Sequence, residues 1–342
     1  MIYRKLRKLY RACLSSSAES SNKDAVLHHT SGPNNCNALH HQPLDCSVPS
    51  IRLLQVLPSL SPDGRIQCII THISVDTVYT CLSYRWGDPS PSCVILINGK
   101  SFKIRQNLFN FLTVVRATAA SGTSEFLGPY WVDALCIDQA NVLEHNHQVA
   151  QMGKIYSNAA HVYLWLGLMP PSIFPLLRVI KSVQDSRRAS ARERIFVCSN
   201  DELLDEYIFN NEYWSRAWVV QEVFIGSQVM VWLDAEPMSL KQMTEGLEHF
   251  LLMGPGTRVP GPFSEFDRAW KEDFKGSESL IPLLERFHDK QCSDPRDRVF
   301  SLLSLVSGEG SKLEVNYDIP LIDLTVEVLR HCSSSVCFCT AV

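Results

Sequence analysis

Apolar and polar positions change period repeatedly along the chain, and each change marks an element. Residues 51–57 and 65–73 read as strands on either side of the turn Ser61-Pro62-Asp63-Gly64. TVYTCLSY, residues 77–84, is a further strand, stopped by Gly87 and Pro89. In CVILI-NG-KSFKI, Asn98-Gly99 separates two alternating runs, the pattern of a type I′ hairpin. Gln106 and Asn107 then open a helix with Leu108, Phe111, Leu112 and Val115 at i, i+3, i+4 and i+7. YWVDALCI at 130–137 has the apolar character of a buried strand. A helix follows over 143–158, with Val149, Met152 and Tyr156 inward, and then a strand at 161–166. Strand and helix alternate, which predicts an α/β fold with a mostly parallel sheet flanked by helices and a β-hairpin insertion.

The run YWSRAWVVQEVFIG, residues 213–226, reads as one helix. At about 100° per residue, Tyr213, Ala217, Val220 and Phe224 form a core stripe, and Ser215, Trp218 and Glu222 gather opposite. A solvated face does not normally pair a tryptophan with its only acid, so that side is covered or lines a pocket. A strand over 228–233 follows, and then helices over 238–252 and 278–289. Asp294-Pro295 supplies N-cap and N1 residues for another helix. The resulting partition is an unstructured arm at 1–48, an α/β domain at 50–235, a mainly helical extension packed on it at 236–331, and a patternless tail at 332–342. The short Cys-rich end suggests truncation.

Composition narrows the function classes. Hydrophobic content of 45% and charged content of 20% are those of a globular chain. A net charge of −4 gives no basic surface for nucleic acid, and no apolar run is long enough for a membrane span. Met1–Leu14 carries Arg4, Lys5, Arg7, Lys8 and Arg11 without an acid, the character of a solvated arm, a transit peptide or a membrane-surface segment. Cys68, Cys81, Cys93 and Cys136 sit in apolar runs, where a free thiol behaves as a small hydrophobe, and this favours a reduced, cytoplasmic setting. The histidine pairs His28-His29 and His40-His41 lie in a polar stretch without a ligand pattern, and no metal is expected there.

Candidate chemistry gathers where strands end or where the helix at 213–226 begins. One cluster is Ser83, Tyr84, Arg85 and Trp86; another is Asp133 beside Trp131; a third is Trp218 with Gln221 and Glu222. Ligands of open α/β sheets bind at the carboxyl ends of parallel strands, so these residues form the candidate binding set. Asp133 has a plain alternative as a core acid held by backbone N–H groups or by Arg85. Glu144 reads as a first-turn acid favoured by the helix dipole, and His145 and His147 as exposed. There is no phosphate loop, no GxSxG elbow and no HExxH pair.

Four ordered blocks, YTCLSYRWGD, YWVDALCIDQ, HNHQVAQMGKIYSNAAHVYLWLG and YWSRAWVVQEV, resemble the fungal heterokaryon-incompatibility (HET) domain, and CSDPRDRVFSLLSLV with VNYDIP resembles the segment that commonly follows it. His145 stands where the family usually has arginine. The HET domain in turn resembles the TIR fold: CLSYRWGD is similar to its first strand and loop, and SRAWVVQEV to its tryptophan–x–x–x–glutamate helix, with Val219 in place of a frequent cysteine. The resemblance implies a TIR/flavodoxin-like sheet and a cytoplasmic effector of non-self recognition and programmed cell death. Self-association and an upstream recognition protein are its implied partners. It places Glu222 on the catalytic glutamate of NAD-cleaving TIR enzymes. NAD would then be substrate, with no cofactor required; Arg85 would meet a phosphate and Trp218 would stack on a ring. The same resemblance equally implies a non-catalytic, self-assembling signalling module.

Overall fold

The computed structural model describes residues 39–120, 128–186, 190–233, 237–251, 263, 279–306 and 313–332. The basic segment, the histidines at 28 and 29 and the expected tail beyond 332 lie outside these residues. Nine strands form one sheet: β1 (Ser50–Leu60), β2 (Ile66–Ser74), β3 (Thr80–Tyr84), β4 (Ser92–Ile97), β5 (Lys100–Arg105), β6 (Tyr130–Trp131), β7 (His161–Trp165), β8 (Val229–Trp232) and β9 (Met238–Ser239), in the order β5-β4-β2-β1-β6-β3-β7-β8-β9. Only β6, β3, β7 and β8 make a continuous parallel block, in register at Cys81↔Trp131, Cys81↔Val162 and Val162↔Val229. The pairs β1–β2, β1–β6, β4–β5 and β8–β9 are antiparallel, and β2–β4 is parallel.

The sheet is therefore mixed, not mostly parallel as the strand–helix alternation predicted. The alternation begins only at β3. The β1–β2 and β4–β5 hairpins force antiparallel neighbours, and the β1–β6 and β8–β9 pairings add two more. The hairpin itself forms as expected, with Asn98 and Gly99 at φ 51° and 74°. The expected strand at 130–137 shrinks to Tyr130–Trp131, and Asp133–Cys136 makes a helical turn instead.

Successive residues of the parallel strands feed two cores on opposite faces. Leu82, Tyr84, Tyr163, Trp165 and Trp232 pack with helix α1 (Gln106–Ala120) through Leu108, Phe111, Leu112 and Val115. Phe111 meets Tyr130, Trp165 and Trp232 edge-on at 5.7, 5.6 and 5.7 Å. Cys81, Val162, Leu164, Val229 and Val231 pack on the other face with helix α2 (Val142–Asn158), helix α3 (Phe174–Ser186) and helix α4 (Trp218–Ile225). The described part of the extension is largely helical, with α5 (Leu240–Leu251), a turn at Leu280–Arg286 and α6 (Leu321–His331), although β9 extends the sheet past residue 235. It packs closely on α2: a Cβ added to Gly153 would lie 2.5 Å from the Ser304 Cβ.

The lead-in expected to be unstructured through residue 48 is packed from Leu39 onward. The Leu39 N–H donates to the Ser101 carbonyl, Leu44 is buried, and the Gln42 carbonyl accepts from Arg52. Arg52 of β1 is fully buried and donates to both oxygens of Glu144, at 2.5 and 2.8 Å. It also donates to the carbonyl of Cys136, and Glu144 accepts the Asp138 N–H. Glu144 is thus a buried anchor between α2 and the first hairpin, more than a first-turn acid. Burial works against its charge, yet the bonds to Arg52 hold its carboxyl below the ordinary range.

Removing one member strands a buried charge, which costs about 3–5 kcal/mol, whereas replacing both with apolar groups costs far less. Arg52→Leu is expected to lower unfolding stability by that amount in urea titration, with Arg52→Leu/Glu144→Leu recovering most of it. Equal losses in the single and double variants would contradict this.

Candidate active site at the end of strand β3

The site follows from a break in the run that the sequence presents as one helix. Glu212–Ser215 forms a 3₁₀ turn, Arg216 is extended at φ −68°, ψ 139°, and α4 starts at Trp218. In a continuous helix, positions six apart point about 120° away from each other. The break instead turns Arg216 back onto Glu222, where Nη1 and Nη2 donate to the two carboxylate oxygens at 3.0 and 3.2 Å.

Glu222 is 2% exposed. Its Oε2 also accepts from the Ser83 hydroxyl on β3. The one Ser83 proton is thereby used, so the Tyr213 phenol donates to Ser83. The Arg216 guanidinium lies 5.7 Å from the Tyr213 ring centroid, in cation–π range. Burial acts against the Arg216 charge, but the Glu222 carboxylate beside it wins and raises the group above its ordinary value. Burial pushes the Tyr213 phenol up, and Glu222 adds to that, so Tyr213 remains a neutral donor.

A second carboxylate feels the Arg216 charge. Asp133 accepts from the Trp86 indole at 2.8 Å and from the Ala134 N–H at 2.7 Å. Burial pushes its pKa from 3.8 to about 6; Arg216 and the Trp86 bond pull it down, and Glu222 pushes it further up. Of the two holders expected for Asp133, the backbone is present. Arg85 instead pairs with Glu212 at the surface, its side chain 48% exposed, and such a pair contributes little to stability. The loop after β3 is fixed by Asn107, which donates to the Arg85 carbonyl at 2.6 Å and accepts from the Trp165 indole at 2.9 Å. Arg105 covers the Trp86 ring at 5.2 Å and donates to the Gly87 carbonyl.

The sequence-predicted residues thus divide. Ser83 and Glu222 are in direct contact, and Trp86 and Asp133 are in direct contact, with the Arg216 charge acting on both carboxylates. Tyr84 packs into the α1 core, on the face opposite Ser83. Arg85 is on the surface, and the Trp218 indole bonds Asp297 of the extension. Arg216 escaped sequence reasoning because helical spacing separates it from Glu222, and Tyr213 because it counted as core. His145, expected to be exposed, lies 4.3 Å from the Tyr317 ring. No group of metal-binding side chains occurs among the described residues. A cavity of about 540 Å³ opens elsewhere, lined by Asn146, His147, Phe300, Ser304 and Val315 among others.

Comparison with known proteins finds two similarities. Residues 79–222 match the family model described as Heterokaryon incompatibility protein (HET). Over 143 residues the chain is 34% identical to Heterokaryon incompatibility protein 6, OR allele, of Neurospora crassa, covering 38% of this chain and 21% of that protein. No solved structure matches. The matched region runs from the strand carrying Ser83 to the helix carrying Glu222, the two ends of the cluster just described, so this part of the chain is similar to the HET domain.

Proposed function

We propose that this chain is an effector of heterokaryon incompatibility, a non-self recognition response ending in cell death, and that its HET domain hydrolyses NAD with Glu222 as the catalytic carboxylate. The carrying observation is the contact of Glu222 with Ser83 at the carboxyl end of β3. In chain order the parallel strands are β3, β6, β7 and β8, so the spatial order β6-β3-β7-β8 reads 2-1-3-4. That is the order of flavodoxin-like sheets, and it supports the TIR-like reading. Such sheets bind ligands where the connections reverse, here beyond β3 and β7.

The chemistry asks little of the protein. Breaking the bond between nicotinamide nitrogen and ribose C1′ sends its electron pair to nicotinamide, which leaves neutral. Positive charge builds on the ribose ring, where a fixed carboxylate stabilises it. Water then adds to C1′ and loses a proton, giving ADP-ribose. Glu222 serves as the anion, and Arg85, on the surface after β3, reaches a phosphate. Asp133, titrating near neutrality, is suited to accept the proton of the water.

One observation favours the second reading, a self-assembling module without catalysis. Both Glu222 oxygens are bonded by Arg216, which makes the pair a structural clamp in this arrangement.

The assay is nicotinamide release from NAD by the full chain tethered at high density. Turnover is expected, falling by about 10²–10³ in Glu222→Gln; turnover unchanged in that variant contradicts the assignment. Asp133 gives a separate expectation. Its folded pKa of about 6 exceeds the ordinary 3.8, so the folded state binds more protons across that window. Stability is greatest below it and falls as pH rises toward about 6. The difference in melting temperature between wild type and Asp133→Asn is expected to change across pH 4–6 and to stay level above about 7. A difference independent of pH would place Asp133 in an ordinary environment.

A further inference from the structure

Arg216 bonds both oxygens of Glu222 and is the more exposed of the two, its side chain 17% exposed against 2% for the carboxylate. Its own helix does not hold it, because it sits in the break before α4. Its backbone neighbours are fixed from outside the matched region. The Gln291 N–H donates to the Ser215 carbonyl at 2.6 Å, and the Ala217 N–H donates to the Gln291 carbonyl at 2.9 Å, a single parallel bridge opposite Arg216. Two residues past Arg216, the Trp218 indole bonds Asp297. Asp297 also accepts from the Tyr317 phenol at 2.5 Å.

These contacts are themselves tied down. Arg296 pairs with Asp294 at 2.8 Å and donates to the carbonyls of Tyr317 and Ile319. The Tyr317 N–H donates to Asn146 of α2 at 2.9 Å, and its ring lies against His145 and Phe300. The conformation that turns Arg216 onto Glu222 is therefore imposed by chain some 75–100 residues later.

We propose that Gln291, Asp297 and Tyr317 are positioning residues of the Glu222 site: they fix Arg216 across the carboxylate, and displacing them uncovers Glu222 to a ligand at the end of β3. The inference rests on the reading of Glu222 as the functional carboxylate. It accounts for how a site with a fully bonded carboxylate opens: among the described residues, the later chain holds this stretch through three bonds, at the Ser215 carbonyl, the Ala217 N–H and the Trp218 indole. It also predicts a coupled electrostatic signal, because Arg216 is the cation that holds down the proton affinity of Asp133.

The test uses full-length Tyr317→Phe, which keeps the ring packing and removes one bond to Asp297, and Asp297→Ala, which removes both bonds. Hydrogen exchange at the Ala217 and Gln291 amides is expected to accelerate about tenfold or more, with the Leu82 and Leu164 amides of the central strands unchanged. The Asp133 carboxyl midpoint, followed by carbon NMR, is expected to rise above its wild-type value. Unchanged exchange, acceleration spread evenly over the central strands, or an unmoved Asp133 midpoint each overturns the proposal. If Asp297→Ala does not fold, Tyr317→Phe decides alone. Nicotinamide release is read separately: an inert wild type with the exchange and titration changes present sinks the NAD reading and leaves the positioning role standing.

Discussion

A carboxylate taken out of water needs a partner, and the structure around Glu222 is built to supply one. An unpaired charge at that depth costs several kcal/mol, so α4 cannot dock on the sheet with Glu222 inward unless a cation and a hydroxyl donor, itself backed by the Tyr213 phenol, meet it there. Ser83 comes from β3, Tyr213 from the 3₁₀ turn, and Arg216 from the break between turn and helix. Continuing the helix through Arg216 would carry the guanidinium away and leave the acid alone. The break is therefore the local condition on which the docking of α4 depends, and the bridge to Gln291 is what stabilises the break.

The same logic recurs at the other end of the domain. Arg52 and Glu144 form a second buried pair, joining the β1–β2 hairpin to α2. The Arg52–Glu144 pair connects the region matched by the HET family to chain before it, whereas Arg216 and Glu222 both lie within that region. Residues 79–222 hold most of the parallel strands and the candidate carboxylate, but the hairpin before them supplies the arginine that holds Glu144, and the extension after them holds the backbone on either side of Arg216. Function and folding thus meet at two charges whose burial is tolerable only in the assembled unit.

Much of this was legible in the sequence, for identifiable reasons. The Asn98-Gly99 turn, the apolar runs of β3, β7 and β8, and the periodicity of α1 and α2 are local signals, and each produced the element expected. The mixed sheet was not legible, because an apolar run such as 51–57 looks the same whether its neighbour is parallel or antiparallel. Ser83, Trp86 and Asp133 were singled out from their place at strand ends and Glu222 from its place on a helix face, and the structure joins them in two contacts. Arg216 was missed since a non-helical residue inside a helix-like run has no periodic mark, and its Gln291 partner lies 75 positions away. Tyr84 and Trp218 were grouped with the site by proximity in sequence, yet a strand sends neighbours to opposite faces and Trp218 turns to Asp297.

The account stands on Arg216 and Glu222 acting as one unit. A double-mutant cycle on unfolding stability, with Arg216→Met, Glu222→Gln and the pair together, measures that directly. A coupling energy of about 2 kcal/mol or more is predicted, as for contacting charges out of water. Additivity within about 0.5 kcal/mol would mean that the two side chains do not meet, and the site as described would not exist.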